Sequence, residues 1–132
     1  MERLKEISPN SKVEYGKVDP TFYRDDFRRH DKTLIAQPTT IPFDLEGKTV
    51  VLVDDVLYTG RTIRAGIAGI FEYGRPGKIE LMVLVDRRLQ RELPVMANYV
   101  GLSIDSYDNQ KVKVCWKQDS DVDKVLLLTE KE

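Results

Sequence analysis

The sequence predicts an α/β fold built on a parallel sheet, and three observations carry that prediction. Thr49 to Val53 is an unbroken β-branched and aliphatic run, a helical pattern follows from Ile63 to Phe71, and Ile79 to Val85 is a second apolar run. A strand, a helix and a strand in this order form a crossover unit with parallel strands. Because parallel strands are usually buried on both sides, we expect both faces of the first strand to be covered.

Before this unit, the sequence predicts only short elements. Leu4 and Ile7 stand among charged residues and favour the end of an amphipathic helix. Val13 to Val18 is typical of a strand that stops or bends at Asp19-Pro20. The polar stretch from Arg24 to Lys48 predicts a long loop or a loose hairpin.

After the first strand, Gly74 and Pro76 are expected to end the helix, and three further strands follow. Tyr99 to Ile104 is a short strand candidate. Val112 to Trp116 alternates apolar and polar residues, as a half-exposed strand does, and we expect it to pair with Val125 to Leu128.

Composition and charge predict one soluble domain. The 132 residues are 41% hydrophobic and 33% charged, and 21 Lys and Arg face 22 Asp and Glu for a net charge of −1. A chain of this size buries roughly two thirds of its surface, so we predict a single domain over residues 1–132. The balanced charge excludes a disordered polyelectrolyte and gives no global attraction to nucleic acid or membranes.

Targeting signals and cysteine chemistry are not predicted. No run approaches about 18 consecutive apolar residues, and the charged N-terminus is not followed by an apolar segment, so we expect neither a membrane span nor a secretory signal and place the protein in the cytoplasm. The single Cys115 excludes an internal disulfide, and with one histidine, His30, it makes no usual zinc-ligand set.

The most informative stretch joins the first strand to the helix. Asp54 and Asp55 follow the apolar run, and Thr59-Gly60 then opens the helix. The first amides of a helix have no intrahelical partner, and the helix dipole is positive there, so a phosphate is the favoured guest. The adjacent acids would repel that phosphate, so we expect them to face sugar hydroxyls or a hydrated Mg²⁺. A sugar phosphate satisfies both halves.

This stretch resembles the phosphoribosyl pyrophosphate (PRPP) motif of type I phosphoribosyltransferases. The resemblance implies that Asp54 and Asp55 hold the ribose hydroxyls, with Mg²⁺ contacted directly, through water or through those hydroxyls. The residues that it assigns to the 5′-phosphate are Val56, Leu57, Tyr58, Thr59, Gly60, Arg61 and Thr62.

Further stretches resemble one branch of that superfamily, the pyrimidine-operon attenuator proteins. These stretches are Thr21 to Asp26, Ile41-Pro42-Phe43, Gly74-Arg75-Pro76, Leu84 to Arg87 and Arg91 to Pro94. The resemblance implies a type I phosphoribosyltransferase-like core with a loop or hairpin lid, uracil phosphoribosyltransferase activity, and binding of pyrimidine-operon messenger RNA. It implies PRPP, uracil and uridine nucleotides as ligands, and a homodimer or larger oligomer.

The same resemblance assigns roles outside the phosphate motif. Asp86 and Arg87 lie where the family approaches the nucleobase, although a surface ion pair would also explain them. Arg24 is placed to reach a pyrophosphate oxygen from the lid, although the mixed charges around it are also typical of a solvated loop. Between Arg87 and Arg91, the residues Arg88-Leu89-Gln90 make a longer link than the family pattern has.

The family pattern also places a strand, a glycine-containing basic loop for pyrophosphate, and a helix ahead of these elements. Here the sequence has only the tail of that helix, Met1 to Ile7, so the core is expected to be N-terminally incomplete. Two functions follow as alternatives. One is an active uracil phosphoribosyltransferase that also regulates transcription. The other is a catalytically impaired RNA-binding regulator that senses a nucleotide through the same pocket.

Two alternatives from the residues alone remain. A phosphoacceptor receiver domain also carries acids after an apolar strand, but it would need two more strand-helix units than the residues after Asp105 can supply. Thr59 is also explained as a plain helix N-cap, and a capping residue is free to bind phosphate as well.

Overall fold

The computed structural model describes residues 1–21 and 39–131. Along the chain the helices and strands are α1 (Glu2–Ile7), β1 (Thr49–Leu57), α2 (Arg61–Phe71), β2 (Lys78–Arg87), β3 (Tyr99–Ile104), β4 (Gln110–Cys115) and β5 (Lys124–Thr129). Neither helix in these residues has the length or the apolar character needed to cross a membrane.

Three strands form the parallel sheet that the sequence predicts. Their order is β1-β2-β3, with β2 in the centre. Val53 of β1 lies beside Met82 of β2, which in turn lies beside Tyr99 of β3. The crossover unit with parallel strands is therefore confirmed, and so is the strand predicted at Tyr99 to Ile104. The antiparallel pairing of β4 with β5 confirms the predicted C-terminal hairpin.

The helix α2 covers one face of the sheet. Its apolar positions fall three and four residues apart, so they form one stripe on the helix. The core consists of Leu57, Ile63, Leu81 and Val83, with Leu52, Ile67, Val95 and Ala97 packed against it. This packing fixes the end of β1 against the start of α2, which is where the predicted phosphate turn lies.

The expectation that both faces of β1 are covered is wrong for the described residues. Burial alternates along the strand, and Val51 and Val53 are 43% and 65% exposed. Met82 and Tyr99 continue the same exposed face across β2 and β3. The reason is that α2 packs on one side only, and no described residue forms a second layer on the other.

The strand predicted at Val13 to Val18 is also wrong. Only an isolated antiparallel bridge between Lys17 and Thr40 forms. The Lys17 amide donates to the Thr40 carbonyl over 2.7 Å, and the Thr40 amide donates to the Lys17 carbonyl over 2.8 Å. In an antiparallel ladder the next hydrogen-bonded position among the described residues falls two residues beyond Thr40, at Pro42. Proline has no N–H to donate, so the ladder stops after one bridge.

Part of the predicted long loop is described, and part is not. Residues 39–48 contain only the bridge at Thr40 and turns, as the prediction of a loop or loose hairpin requires. The predicted extension of the chain through Phe22 and Tyr23, and the lid residues Arg24 and His30, lie outside the described residues.

Candidate functional site

The predicted phosphate turn lies between β1 and α2, and Gly60 makes it possible. Gly60 is the N-cap of α2 and has φ of +94°, a left-handed conformation that side chains disfavour. A Cβ there would also lie 3.2 Å from a methyl carbon of Val95. The alternative of Thr59 as the N-cap is therefore wrong, because that position belongs to Gly60, although the Thr59 hydroxyl oxygen accepts a 3.2 Å hydrogen bond from the Arg61 amide.

The loop after β2 holds this turn from one side. The guanidinium of Arg91 donates to the carbonyl oxygen of Tyr58. The amides of Glu92 and Leu93 both donate to the carbonyl oxygen of Thr59, over 2.9 and 3.1 Å. The Arg61 guanidinium and the Glu92 carboxylate add an ion pair of 2.5 Å. The backbone of the turn is therefore fixed by contacts about thirty residues away in sequence.

Tyr58 is held at its ring as well as at its carbonyl group. The guanidinium of Arg87 lies 3.8 Å from the centre of the Tyr58 ring, a cation–π contact. Arg87 is only 5% exposed, and it donates to the Ser106 hydroxyl over 2.7 Å and to the Gln110 carbonyl over 2.8 Å. The turn is thereby linked to the segment that leads into β4.

The predicted base-proximal pair is engaged by protein groups. Asp86 accepts a hydrogen bond from Arg91, and the two side chains are 14% and 19% exposed, so this ion pair is largely shielded from water. Arg87 makes the buried contacts just described. The alternative of a surface ion pair between Asp86 and Arg87 does not match this geometry, because each residue pairs elsewhere.

The two acids of the motif lie within β1 and not after it, because the strand continues to Leu57. Successive strand residues point to opposite faces, and Asp54 is half-buried whereas Asp55 is exposed. Each carboxylate accepts a hydrogen bond from the next amide, Asp54 from Asp55 over 2.9 Å and Asp55 from Val56 over 2.8 Å. Burial raises the pKa of Asp54 to about 6, and the nearby charge of Asp55 adds to that rise.

The other residues assigned to the phosphate differ in whether their side chains or only their backbone groups could contact it. Leu57 is fully buried in the core, so only its backbone remains available. Val56 is half-buried in the strand. Thr59 is half-buried and Thr62 is exposed at the first turn of α2, which leaves the hydroxyl-bearing side chains at the surface of the turn.

Asp54 and Asp55 are the residues of this site that would contact a Mg²⁺ bound together with a phosphorylated substrate. No three His, Cys, Asp or Glu side chains come together as a metal site in the part of the chain that the structure describes. Mg²⁺ commonly keeps several waters and uses one or two carboxylates together with substrate phosphates. Asp54 and Asp55, on opposite faces of one strand, suit contact through water or ribose hydroxyls better than joint direct ligation.

Sequence reasoning missed the groups that shape the turn. Arg91 and Glu92 belong to a stretch that resembles the family, but the sequence assigns them no role, and it does not point to Ser106 or Gln110. The signal that was available is the cluster of arginines after a strand end, yet nothing local in the sequence says which of them reaches back to Tyr58.

Comparison with known proteins agrees with this fold. The family model described as a phosphoribosyl transferase domain matches residues 4–119, so the chain has the fold of a phosphoribosyltransferase, built on an α/β parallel-sheet core. Among curated proteins, the Bifunctional protein PyrR of Elusimicrobium minutum is 44% identical over 97% of this chain and 70% of its own length. That of Gloeothece citriformis is 50% identical over 93% of this chain and 68% of its own length. The chain therefore belongs to the PyrR family.

A solved structure is also similar over part of the chain. It is a hypoxanthine-guanine phosphoribosyltransferase from Bacillus anthracis, with 25% sequence identity and a TM-score of 0.47, matching 55% of this chain and 43% of that one.

Proposed function

We propose that this chain is a pyrimidine-operon regulatory protein with uracil phosphoribosyltransferase activity, acting in the cytoplasm as one domain over residues 1–132. Uracil and PRPP would give uridine monophosphate (UMP) and pyrophosphate. The observation that carries the proposal is the turn at Tyr58 to Arg61, whose backbone is held open at the start of a helix. Membership of the PyrR family supports it.

The turn is suited to a 5′-phosphate because of how its peptides are oriented. In a planar trans peptide the C=O and the N–H point in opposite directions. The carbonyl groups of Tyr58 and Thr59 both face the loop after β2. The amides of Thr59 and Gly60 therefore face away from it, and neither donates a hydrogen bond to another residue in 1–21 or 39–131. Two free amides beside a helix start form an anion site.

In the proposed reaction a uracil nitrogen attacks the anomeric carbon of the ribose. The bond from that carbon to the pyrophosphate oxygen breaks, pyrophosphate leaves with the electron pair, and the uracil N–H proton passes to solvent. Asp54 and Asp55 hold the ribose, the turn holds the 5′-phosphate, and both keep the carbon aligned. Asp86 and Arg87 are proposed to lie near the base, and Arg24 near the pyrophosphate. When bound, Mg²⁺ neutralises charge on the pyrophosphate.

Self-association is part of the proposal. The exposed face carries the apolar side chains Val51, Val53 and Met82 and extends to Tyr99 across three strands. At one end of it, Glu80 lies beside Val51 and pairs with Lys78 and the Tyr99 hydroxyl. Contiguous apolar surface of this kind marks an interaction site in soluble proteins. We assign it to a homodimer or larger homo-oligomer. Binding of pyrimidine-operon messenger RNA is proposed from the family alone.

A catalytically impaired, nucleotide-sensing RNA regulator is the second candidate, because the same turn suffices for recognition of UMP without transfer. Calorimetric titration with UMP and with PRPP tests the part that both candidates share. Thr59→Val removes one hydroxyl hydrogen bond to a charged group, worth about 1.5–3 kcal/mol, and should weaken UMP binding about 10- to 100-fold.

The matched control is Thr49→Val, at the opposite end of the same strand, which should bind UMP as the unmodified chain does. Equal affinity of Thr59→Val and the unmodified chain would remove Thr59 from the site. Steady-state formation of UMP from labelled uracil and PRPP separates the two candidates.

A further inference from the structure

The loop after β2 makes several hydrogen bonds to the backbone of the phosphate turn. Arg91 contacts the Tyr58 carbonyl, and the amides of Glu92 and Leu93 contact the Thr59 carbonyl. These are the two carbonyl groups whose partner N–H groups, on Thr59 and Gly60, face the phosphate site. The loop thus binds the carbonyl side of these two peptide groups, and their N–H side would bind the phosphate.

We propose that Arg91 is a positioning residue, which orients the Tyr58–Thr59 peptide so that its N–H points at the 5′-phosphate. This inference rests on the proposed function of the turn as a phosphate site. Arg91 does not touch the ligand in this arrangement. It acts through the backbone of Tyr58.

The geometry favours orientation over charge. The Arg91 guanidinium bridges two acceptors with two different nitrogens, Nη1 to the Tyr58 carbonyl and Nη2 to the Asp86 carboxylate. A planar guanidinium with two donors engaged has a fixed direction, unlike an ammonium group. Its charge is paired with Asp86 inside a shielded contact, so little of it remains to attract a phosphate.

Arg87 strengthens the same arrangement from the other side of Tyr58. Its guanidinium stacks on the Tyr58 ring and is held by Ser106 and Gln110. Asp86 and Arg87, consecutive at the end of β2, therefore both reach Tyr58, one through Arg91 and one directly. A peptide fixed at its carbonyl and at its side chain cannot turn its N–H away from the site, and such preorganisation is what binding and catalysis reward.

Arg88 provides a matched control in the same loop. It also pairs with a carboxylate, Asp105 at 2.9 Å, but both side chains are more than half exposed and neither contacts the turn. Removal of Arg88 therefore changes the charge of the loop by the same amount as removal of Arg91, without releasing Tyr58.

The test compares binding of UMP with binding of uridine, which lacks the phosphate, by calorimetry. Arg91→Ala should weaken UMP binding about tenfold, the lower end of what the loss of one charged hydrogen bond costs, and should weaken uridine binding less, by only what the loss of its contact with Asp86 costs. Arg88→Ala should leave both unchanged. Added guanidinium ion at millimolar concentration should restore UMP binding to Arg91→Ala, since it refills the emptied position.

A second variant, Arg91→Lys, keeps the charge but lacks the planar pair of donors, and it should also lose UMP affinity. Full affinity in Arg91→Lys would show that charge alone acts, and unchanged UMP binding in Arg91→Ala would show that Arg91 does not act at all. Equal loss of UMP and uridine would show that Arg91 acts through Asp86 or through the fold as a whole, and not through the phosphate turn. Each result overturns the inference while leaving the phosphate site intact as a proposal. If the unmodified chain does not bind UMP, the proposed function fails, and this inference fails with it.

Discussion

Asp54 is a carboxylate kept where the fold disfavours its charge, so replacing it with a neutral isostere should stabilise the protein. Burial raises its pKa from 3.8 to about 6. A difference of about two between the folded and unfolded pKa values corresponds to an upper bound of ~3 kcal/mol, since each tenfold change in acidity is worth about 1.4 kcal/mol, and solvent screening of this half-buried carboxylate lowers the expected gain below that bound. Asp54→Asn keeps an oxygen that accepts the 2.9 Å hydrogen bond from the Asp55 amide.

The sign of the pH dependence follows from the raised pKa. Below pH 3.8 both the folded and the unfolded chain carry the proton, so the charge costs nothing. Between about pH 4 and pH 6 the unfolded chain loses the proton first, and the unmodified protein loses stability as the pH rises. Asp54→Asn lacks this loss. The difference in the free energy of unfolding between Asp54→Asn and the unmodified protein should therefore increase from about pH 4 to pH 6 and stay constant above pH 6.

Urea unfolding at a series of pH values from 4 to 8 measures this advantage, with unchanged m-values required for the comparison. Asp55→Asn is the matched control, because Asp55 is adjacent but exposed; it removes only the smaller contribution of the Asp55 charge to the raised pKa of Asp54, so it should stabilise the protein less than Asp54→Asn does. The reasoning is refuted if Asp54→Asn is no more stable than the unmodified chain at pH 7, or if its advantage does not vary between pH 4 and pH 6. If Asp54 holds the ribose, the same variant should bind UMP more weakly while being more stable, the trade-off expected of a functional carboxylate.

Two further predictions concern assembly and turnover. The exposed apolar sheet face predicts a dimer or larger species at micromolar concentration, and a monomer by light scattering with a cooperative melt would count against it. Val53→Lys, at the most exposed side chain of that face, should shift the population towards monomer. The second candidate, the catalytically impaired regulator, predicts that a polypeptide of these 132 residues binds UMP but forms it from uracil and PRPP with little or no turnover, because these residues include no basic glycine loop for pyrophosphate and one lost donor of this kind typically costs about 100- to 1000-fold. Turnover near one per second in the labelled-uracil assay would contradict this.

Local sequence patterns determined most of the central fold. Apolar runs and helical spacing, which depend on neighbouring residues alone, predict the crossover unit from Thr49 to Val85. The strands and the helix form where these patterns predict them. The Thr59-Gly60 turn is equally local, because a left-handed residue before a helix requires glycine or pays a steric cost. The errors lie where partners matter. Val13 to Val18 has the composition of a strand, but a strand also needs a partner able to donate.

Tertiary structure alone decided how the site is held and how much of the sheet is covered. The contact of Arg91 with Tyr58 joins residues 33 apart, and the choice of Arg91 and Arg87 over Arg88 depends on where β2 ends and how the next loop folds back. The alternation of burial along β1 also depends on tertiary structure. An apolar run in the sequence indicates that a strand favours burial, but only the packing of α2 determines which of its faces is buried. The raised pKa of Asp54 has mainly the same origin, because burial by the fold disfavours the carboxylate's charge most, and the charge of its sequence neighbour Asp55 adds to the rise.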